Sequence, residues 1–213
     1  MNTALEPIVR ETSAWVDRAV IGLNLCPFAN AVQARGLVRY AVSDTTDPQV
    51  LLATLCDEMR WLHDADPADV ETTLLIHPFA LIDFDDFNHF LGAAEAAVHA
   101  LGLEGVLQIA SFHPHYRFAG TAAEDLSNAT NRSPYPCLHL LREASVTRAL
   151  AARPEPQTIF ETNIRTLAAL GSAGWATLQA ACRLDGAETA DSPDLKRHIA
   201  APVAPKIVSS GPD

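Results

Sequence analysis

Lysine is almost missing from this chain: Lys196 and Lys206 are the only two in 213 residues, and arginine carries the rest of the fixed positive charge. Basic residues are short overall, with 15 Lys and Arg against 26 Asp and Glu and a formal charge of −11. Sequence-independent nucleic-acid binding depends on cations neutralising phosphates, so that class of partner is excluded. Cysteine is scarce too. Cys26, Cys56, Cys137 and Cys182 stand 30, 81 and 45 residues apart, without a Cys-x-x-Cys pair, which excludes a small disulfide framework and agrees with a reducing compartment. Long apolar runs are also lacking. One long stretch without a charged residue, Ala19 to Ala34, contains Asn24, Pro27, Asn30 and Gln33 and is too short and polar to span ~30 Å of hydrocarbon. No membrane partner is therefore expected. Glu6 and Glu11 fall where a signal peptide would need an apolar core, so a cytoplasmic location is expected.

What remains is the composition of a globular domain, 48% hydrophobic and 19% charged. A chain of ~150 ordered residues buries roughly 70% of its unfolded surface, so one domain of this length needs no staple. Thr3 and Glu6 make a capping box for a first helix of about five turns, with Ile8, Val9, Val16, Ala19, Val20 and Leu23 on one stripe. Leu37 to Ser43 reads as a strand. Asp47-Pro48 then opens a second helix whose stripe is Leu51, Leu52, Leu55, Met59 and Leu62. Thr72 to His77 is a second strand, nearly all apolar, of the buried kind. Asp83 caps a third helix that Gly102 ends, and Val106 to His113 is a third strand. Strands alternating with helices predict an α/β fold, or a closely related α+β sandwich, with a largely parallel sheet of about four strands covered by helices. Cys137 to Arg142 supplies the fourth strand. Helices over 145–152, 156–170 with Gly171 as stop, and 174–184 make a helical C-terminal part. Residues 1–185 read as one domain and 186–213, rich in Pro, Ala and Ser, as a mobile tail.

Two strands finish alike, Leu74-Leu75-Ile76-His77-Pro78 and Ala110-Ser111-Phe112-His113-Pro114. Ligands in open α/β sheets bind beyond the carboxyl ends of strands, so His77 and His113 are candidate catalytic residues sharing a crevice. Each could instead simply bond a neighbouring loop. His115 lies two residues beyond His113, and an extended backbone would project both imidazoles to one side. With His139 as a third ligand, or Cys26, they could hold a divalent metal such as zinc. Cys26-Pro27-Phe28-Ala29 suggests a cysteine capping a short helix, whose dipole would favour a nucleophilic thiolate; a small buried residue ending the first helix is the plainer reading. Pro114 to Pro136 is too long for an idle connection, and it carries Arg132, Asn131 and Tyr135 as candidate substrate-binding residues. The planar fork of Arg132 suits a carboxylate or phosphate, and Asn131 would orient it.

With those segments placed, the chain resembles an uncharacterised family of bacterial and plant proteins, a domain of unknown function numbered 1415. The likeness rests on Trp15-Val16, Val20-Ile21-Gly22-Leu23-Asn24-Leu25-Cys26-Pro27-Phe28-Ala29, Ala110-Ser111-Phe112-His113-Pro114, Thr130-Asn131-Arg132-Ser133-Pro134-Tyr135-Pro136, and Leu138 to Ser145. It runs from about Thr12 to about Trp175. The resemblance implies no reaction and no cofactor. Similar members often have an acid at the place of His115, which counts against a His-x-His metal pair and leaves His113 and His139 less affected. A fragmentary likeness of Cys-Pro-Phe-Ala to the active-site turn of glutaredoxins makes a thiol redox enzyme using Cys26 a minor alternative.

The residues thus predict an enzyme of hydrolysis or group transfer acting on a small anionic molecule. His113 and His77 would be its acid and base, Arg132 the anion holder, and Cys26 or a metal the activating group. The alternative is a non-catalytic module that binds a metabolite or a partner protein at the same loop.

Overall fold

Asp47 begins a helix because its carboxylate accepts the backbone N–H of Gln49 at 2.8 Å, with Pro48 at the first helical position. In the computed structural model, which describes residues 5–151, 158–188 and 199–200, that helix is α3 (Pro48–Asp64), burying Leu51, Leu55, Met59 and Leu62. It joins β1 (Val38–Val42) to β2 (Thr72–Ile76), every residue of both strands being buried. Asp83 caps α4 (Phe84–Ala100) in the same manner, accepting from the N–H groups of Asp85 and Asp86. Gly102, at φ 67°, turns the chain out of it. Then come β3 (Leu107–Phe112) and β4 (Cys137–Arg142).

Before β1, α1 (Glu6–Trp15) continues as a π-helical stretch over Val16–Ile21, followed by a six-residue helix α2 (Ala29–Ala34). Thr12 through Val16 are all buried, so the segment is enclosed on more than one side instead of riding on a single stripe. The expected cap Thr3 lies outside the described residues; Leu5 stands at the cap position and makes no side-chain bond. After β4 come α5 (Glu143–Ala151) and α6 (Thr158–Ala187). Gly171, with φ 71° and ψ 168°, breaks α6 into two arms where a stop was expected. The expected start at Pro156 lies outside the described residues.

The sheet order is β3-β4-β2-β1-β5, where β5 is the two-residue Ile199–Ala200 beside β1. Of the stretch read as a tail, 189–198 and 201–213 lie outside the described residues, while Gly186 and Ala187 still belong to α6. A Cβ on Gly186 would stand 2.8 Å from Cβ of Glu11, so glycine is what lets α6 approach α1. The expectation of a largely parallel sheet needs correcting. β1 is parallel to β2 and β5, but β4 enters between β2 and β3 antiparallel to both. The cause is the 113–136 connection, which supplies no crossover helix and returns the chain at the edge it left, pairing Phe112 with Cys137.

The sheet has two covered faces. Val38, Tyr40, Val42, Leu74, Ile76 and Cys137 pack against α1 and α6. Ala41, Leu75, Leu138 and Leu140 pack against α3 and α4. Among the described residues no helix is long and apolar enough to cross a membrane.

Candidate functional site

The carboxyl ends of β2 and β3 lie on either side of the start of β4, so His77 and His113 emerge at one edge. Both follow a residue that faces α1 and α6, and so turn toward α4. There both rings rest on Phe87, with centroids 5.7 and 5.1 Å from its ring. The sequence-predicted pair does meet. Its hydrogen bonds then decide what it can do. His77 Nδ1 lies 3.0 Å from the carbonyl of Ala80, which only accepts, so Nδ1 carries the proton. His113 Nδ1 accepts the N–H of His115 at 3.0 Å, which places its proton on Nε2, 3.2 Å from the carbonyl of Leu81. Both residues are fully buried. Burial pushes His77 down to about 4 and lowers His113 as well. Two neutral imidazoles therefore hold successive carbonyls of the turn between β2 and α4, where Leu81 has the uncommon φ of 55°. That is a clamp on a strained turn.

The proposed metal set does not assemble. Tyr116 N–H donates to the His113 carbonyl at 3.0 Å, so Pro114 and His115 sit in a tight turn and the extended His-x-His projection is lost. His115 is exposed. His139 lies inside β4, paired with Leu74 and Ala110, on the opposite face of the sheet from His113. Its Nε2 donates to Thr72 Oγ1 at 2.7 Å, that hydroxyl donating onward to the Leu140 carbonyl. Burial lowers it to about 4. Among the described residues no three His, Cys, Asp or Glu side chains group as a metal site. Cys26 needs a correction as well. Helix α2 begins at Ala29 with Phe28 at its cap position, so Cys26 caps nothing; it lies half-buried in the preceding turn, its carbonyl accepting the Ala29 N–H. Burial raises the Cys137 thiol to about 12 and that of Cys182 to about 11, which keeps both protonated.

The long loop is ordered from within. Asn128, fully buried, accepts from the Phe118 N–H and the Thr121 hydroxyl and donates to the Ala122 carbonyl. Asn131 donates from Nδ2 to the Ser111 carbonyl at 3.1 Å, fastening the loop to β3 instead of orienting a ligand. Arg132 gives Nε to the Tyr116 carbonyl and Nη2 to that of Ala123. Part of its fork is thus taken by the loop.

The rest of Arg132 borders a cleft of about 290 Å³ between α1, α6 and the loop, on the face away from His77 and His113. Its wall includes Glu11 and Trp15 from α1, Arg132 and Tyr135 from the loop, and Trp175 and Arg183 from α6. The Tyr135 hydroxyl donates to Glu11 Oε2 at 2.6 Å, and burial with that carboxylate raises the phenol, keeping it protonated. Arg183 is exposed and has no hydrogen-bond or ion-pair partner among the described residues. His77, His113, Cys26 and Asn131 are all absent from the lining. The single crevice expected from sequence is therefore not formed: Arg132 and Tyr135 share a cleft, and the three expected catalytic groups lie elsewhere. Glu11, Trp15, Trp175 and Arg183 were missed. Their signal was the i, i+4 spacing of Glu11 with Trp15, and i, i+8 of Trp175 with Arg183, which puts each pair on one helix face.

Fold and cleft together define a mixed α/β sandwich with an arginine-bearing hollow at one edge of its sheet. The chain belongs to the family described as "Protein of unknown function (DUF1415)", which matches residues 7–177. That is the family its motifs around Cys26, His113 and Arg132 resemble. No curated protein and no solved structure matches it.

Proposed function

We propose that the protein recognises a small anionic molecule in the cleft between α1, α6 and the 114–136 loop, as a binding module. The observation that carries this reading is Arg183: a cation without a partner among the described residues, on the wall of the same hollow as Arg132, in a chain of charge −11. An anion approaching so acidic a protein is repelled over most of the surface and needs a local positive site. The hollow lies at the low end of the volumes typical of small-molecule sites, roughly 300–1,000 Å³, and mixes aromatic wall with a few polar groups as such sites do. Hydrolysis or group transfer by His77, His113 or Cys26 would require one of them beside the anion, and none borders the cleft.

The test is a titration followed by tryptophan fluorescence, since two of the three tryptophans border the cleft. Inorganic phosphate, sulfate, citrate and benzoate are added in turn at low ionic strength. At least one should give a saturable change that Arg183→Glu abolishes. Four linear, unsaturable responses would sink the reading.

A further inference from the structure

The wall of the cleft narrows the chemistry of its ligand. The lining itself holds Arg132, Arg183 and one carboxylate, Glu11, a balance of one positive charge, while Asp125 and Glu124 act on Arg132 from outside it. That balance matches a monoanion; a phosphate close to its dianionic form would sit beside Glu11 with a charge left over. Arg132 has already given Nε and Nη2 to backbone carbonyls, so it offers only part of its donor fork. A carboxylate, with two acceptor oxygens, asks less of that fork than the three oxygens of a phosphoryl group. The apolar part of the wall is aromatic: Trp15, Trp175 and Tyr135, with Leu178 of α6 beside them. Aromatic faces favour a planar ring at offset or edge contact. About 290 Å³ leaves room for one ring with a short acid arm.

Resting on the anion-binding reading above, we propose that the cleft takes a monoanionic aromatic carboxylate, its ring between the two indoles and its carboxylate held by Arg132 and Arg183. Trp175 and Tyr135 then decide the shape of the ligand, and the arginines decide its charge.

Three probes separate the parts of this proposal: benzoate, benzyl alcohol as its neutral counterpart, and inorganic phosphate. The readout is the indole N–H resonances in a proton–nitrogen correlation spectrum, assigned with Trp61→Phe and Trp175→Phe. Benzoate should shift the Trp175 and Trp15 signals saturably, leave Trp61 still, and bind at least tenfold more tightly than either other probe. Arg183→Ala, at an exposed position, should weaken benzoate about tenfold without altering the rest of the spectrum. Benzyl alcohol binding as well as benzoate would overturn the carboxylate. Phosphate binding as tightly as benzoate would overturn the aromatic class and leave the anion site standing. If neither anion binds, the anion-binding reading falls and this proposal with it.

Discussion

The two faces of the sheet use similar residues to opposite ends. Under α3 and α4, histidine, arginine and glutamate are buried and turned toward the protein itself. His77 and His113 hold the carbonyls of Ala80 and Leu81, and Arg39 meets Glu58 through two contacts of 2.9 Å with Trp61 stacked 4.2 Å from its guanidinium carbon. Under α1 and α6, Arg132 is half-committed and Arg183 has no partner among the described residues, beside a hollow. Residue type is the same on both sides. What separates a structural group from a recognition group is whether the fold has already used its hydrogen bonds.

The largest effect should come from breaking the α3/α4 face at its buried ion pair. Glu58→Leu leaves Arg39 charged and desolvated, and removing one partner of such a pair typically costs about 3–5 kcal/mol. Urea unfolding should show that loss. Adding Arg39→Met should restore much of it, since the pair as a whole gains little over a well-packed apolar replacement. A double variant as unstable as Glu58→Leu would show that the pair itself, and not its desolvation, supports the fold.

Next in size are the clamp histidines. His77→Ala or His113→Ala removes a ring packed on Phe87 and leaves a turn carbonyl unbonded, so each should cost about 2–4 kcal/mol. Benzoate affinity should not change in either, because neither ring borders the cleft. A variant that folds normally and loses binding would break the comparison between the faces.

This second pair also shows how much was legible beforehand. That both histidines reach one edge followed from two strands ending in His-Pro, and the caps at Asp47 and Asp83 marked α3 and α4. The face was harder to see. Which side His113 takes depends on strand order, and the insertion of β4 between β2 and β3 has no trace in apolar periodicity. Arg132 and Tyr135 were found because a long polar loop draws notice. Glu11, Trp15, Trp175 and Arg183 were passed over because on a helix they read as core stripe or solvated surface, and only the packing of α1 on α6 makes them a wall.

Acid should act on both faces, through the fully buried His77 on one and the half-buried His139 on the other. His77 and His139 have folded pKa values of about 4, against an unfolded value near 6.5. The unfolded chain thus binds protons first as pH falls. Their contribution is fully present above about pH 6.5 and is lost as pH drops toward 4, at most about 3 kcal/mol for each. His139→Gln should flatten the stability profile over that window, measured by urea unfolding at pH 7, 6, 5 and 4. An unchanged slope would mean that His139 titrates normally.

The smallest effect on folding belongs to the residue on which the functional reading rests. Arg183 is exposed and makes no ion pair or hydrogen bond among the described residues, so Arg183→Ala should shift stability by no more than about 0.5 kcal/mol. The neighbouring Arg18–Asp185 pair, at 2.7 Å, is the control, because it too is a surface arginine on this side of the protein but is already partnered. Arg18→Ala should lower stability only slightly, as the loss of an exposed ion pair does, and leave benzoate binding untouched. Arg183→Ala should do the reverse, with folding intact and binding weakened. Calorimetric titration of both variants decides it: equal losses of affinity would reduce Arg183 to one contributor among many to a diffuse positive field, since a general field loses the same from either cation and a cleft loses only from the one on its wall.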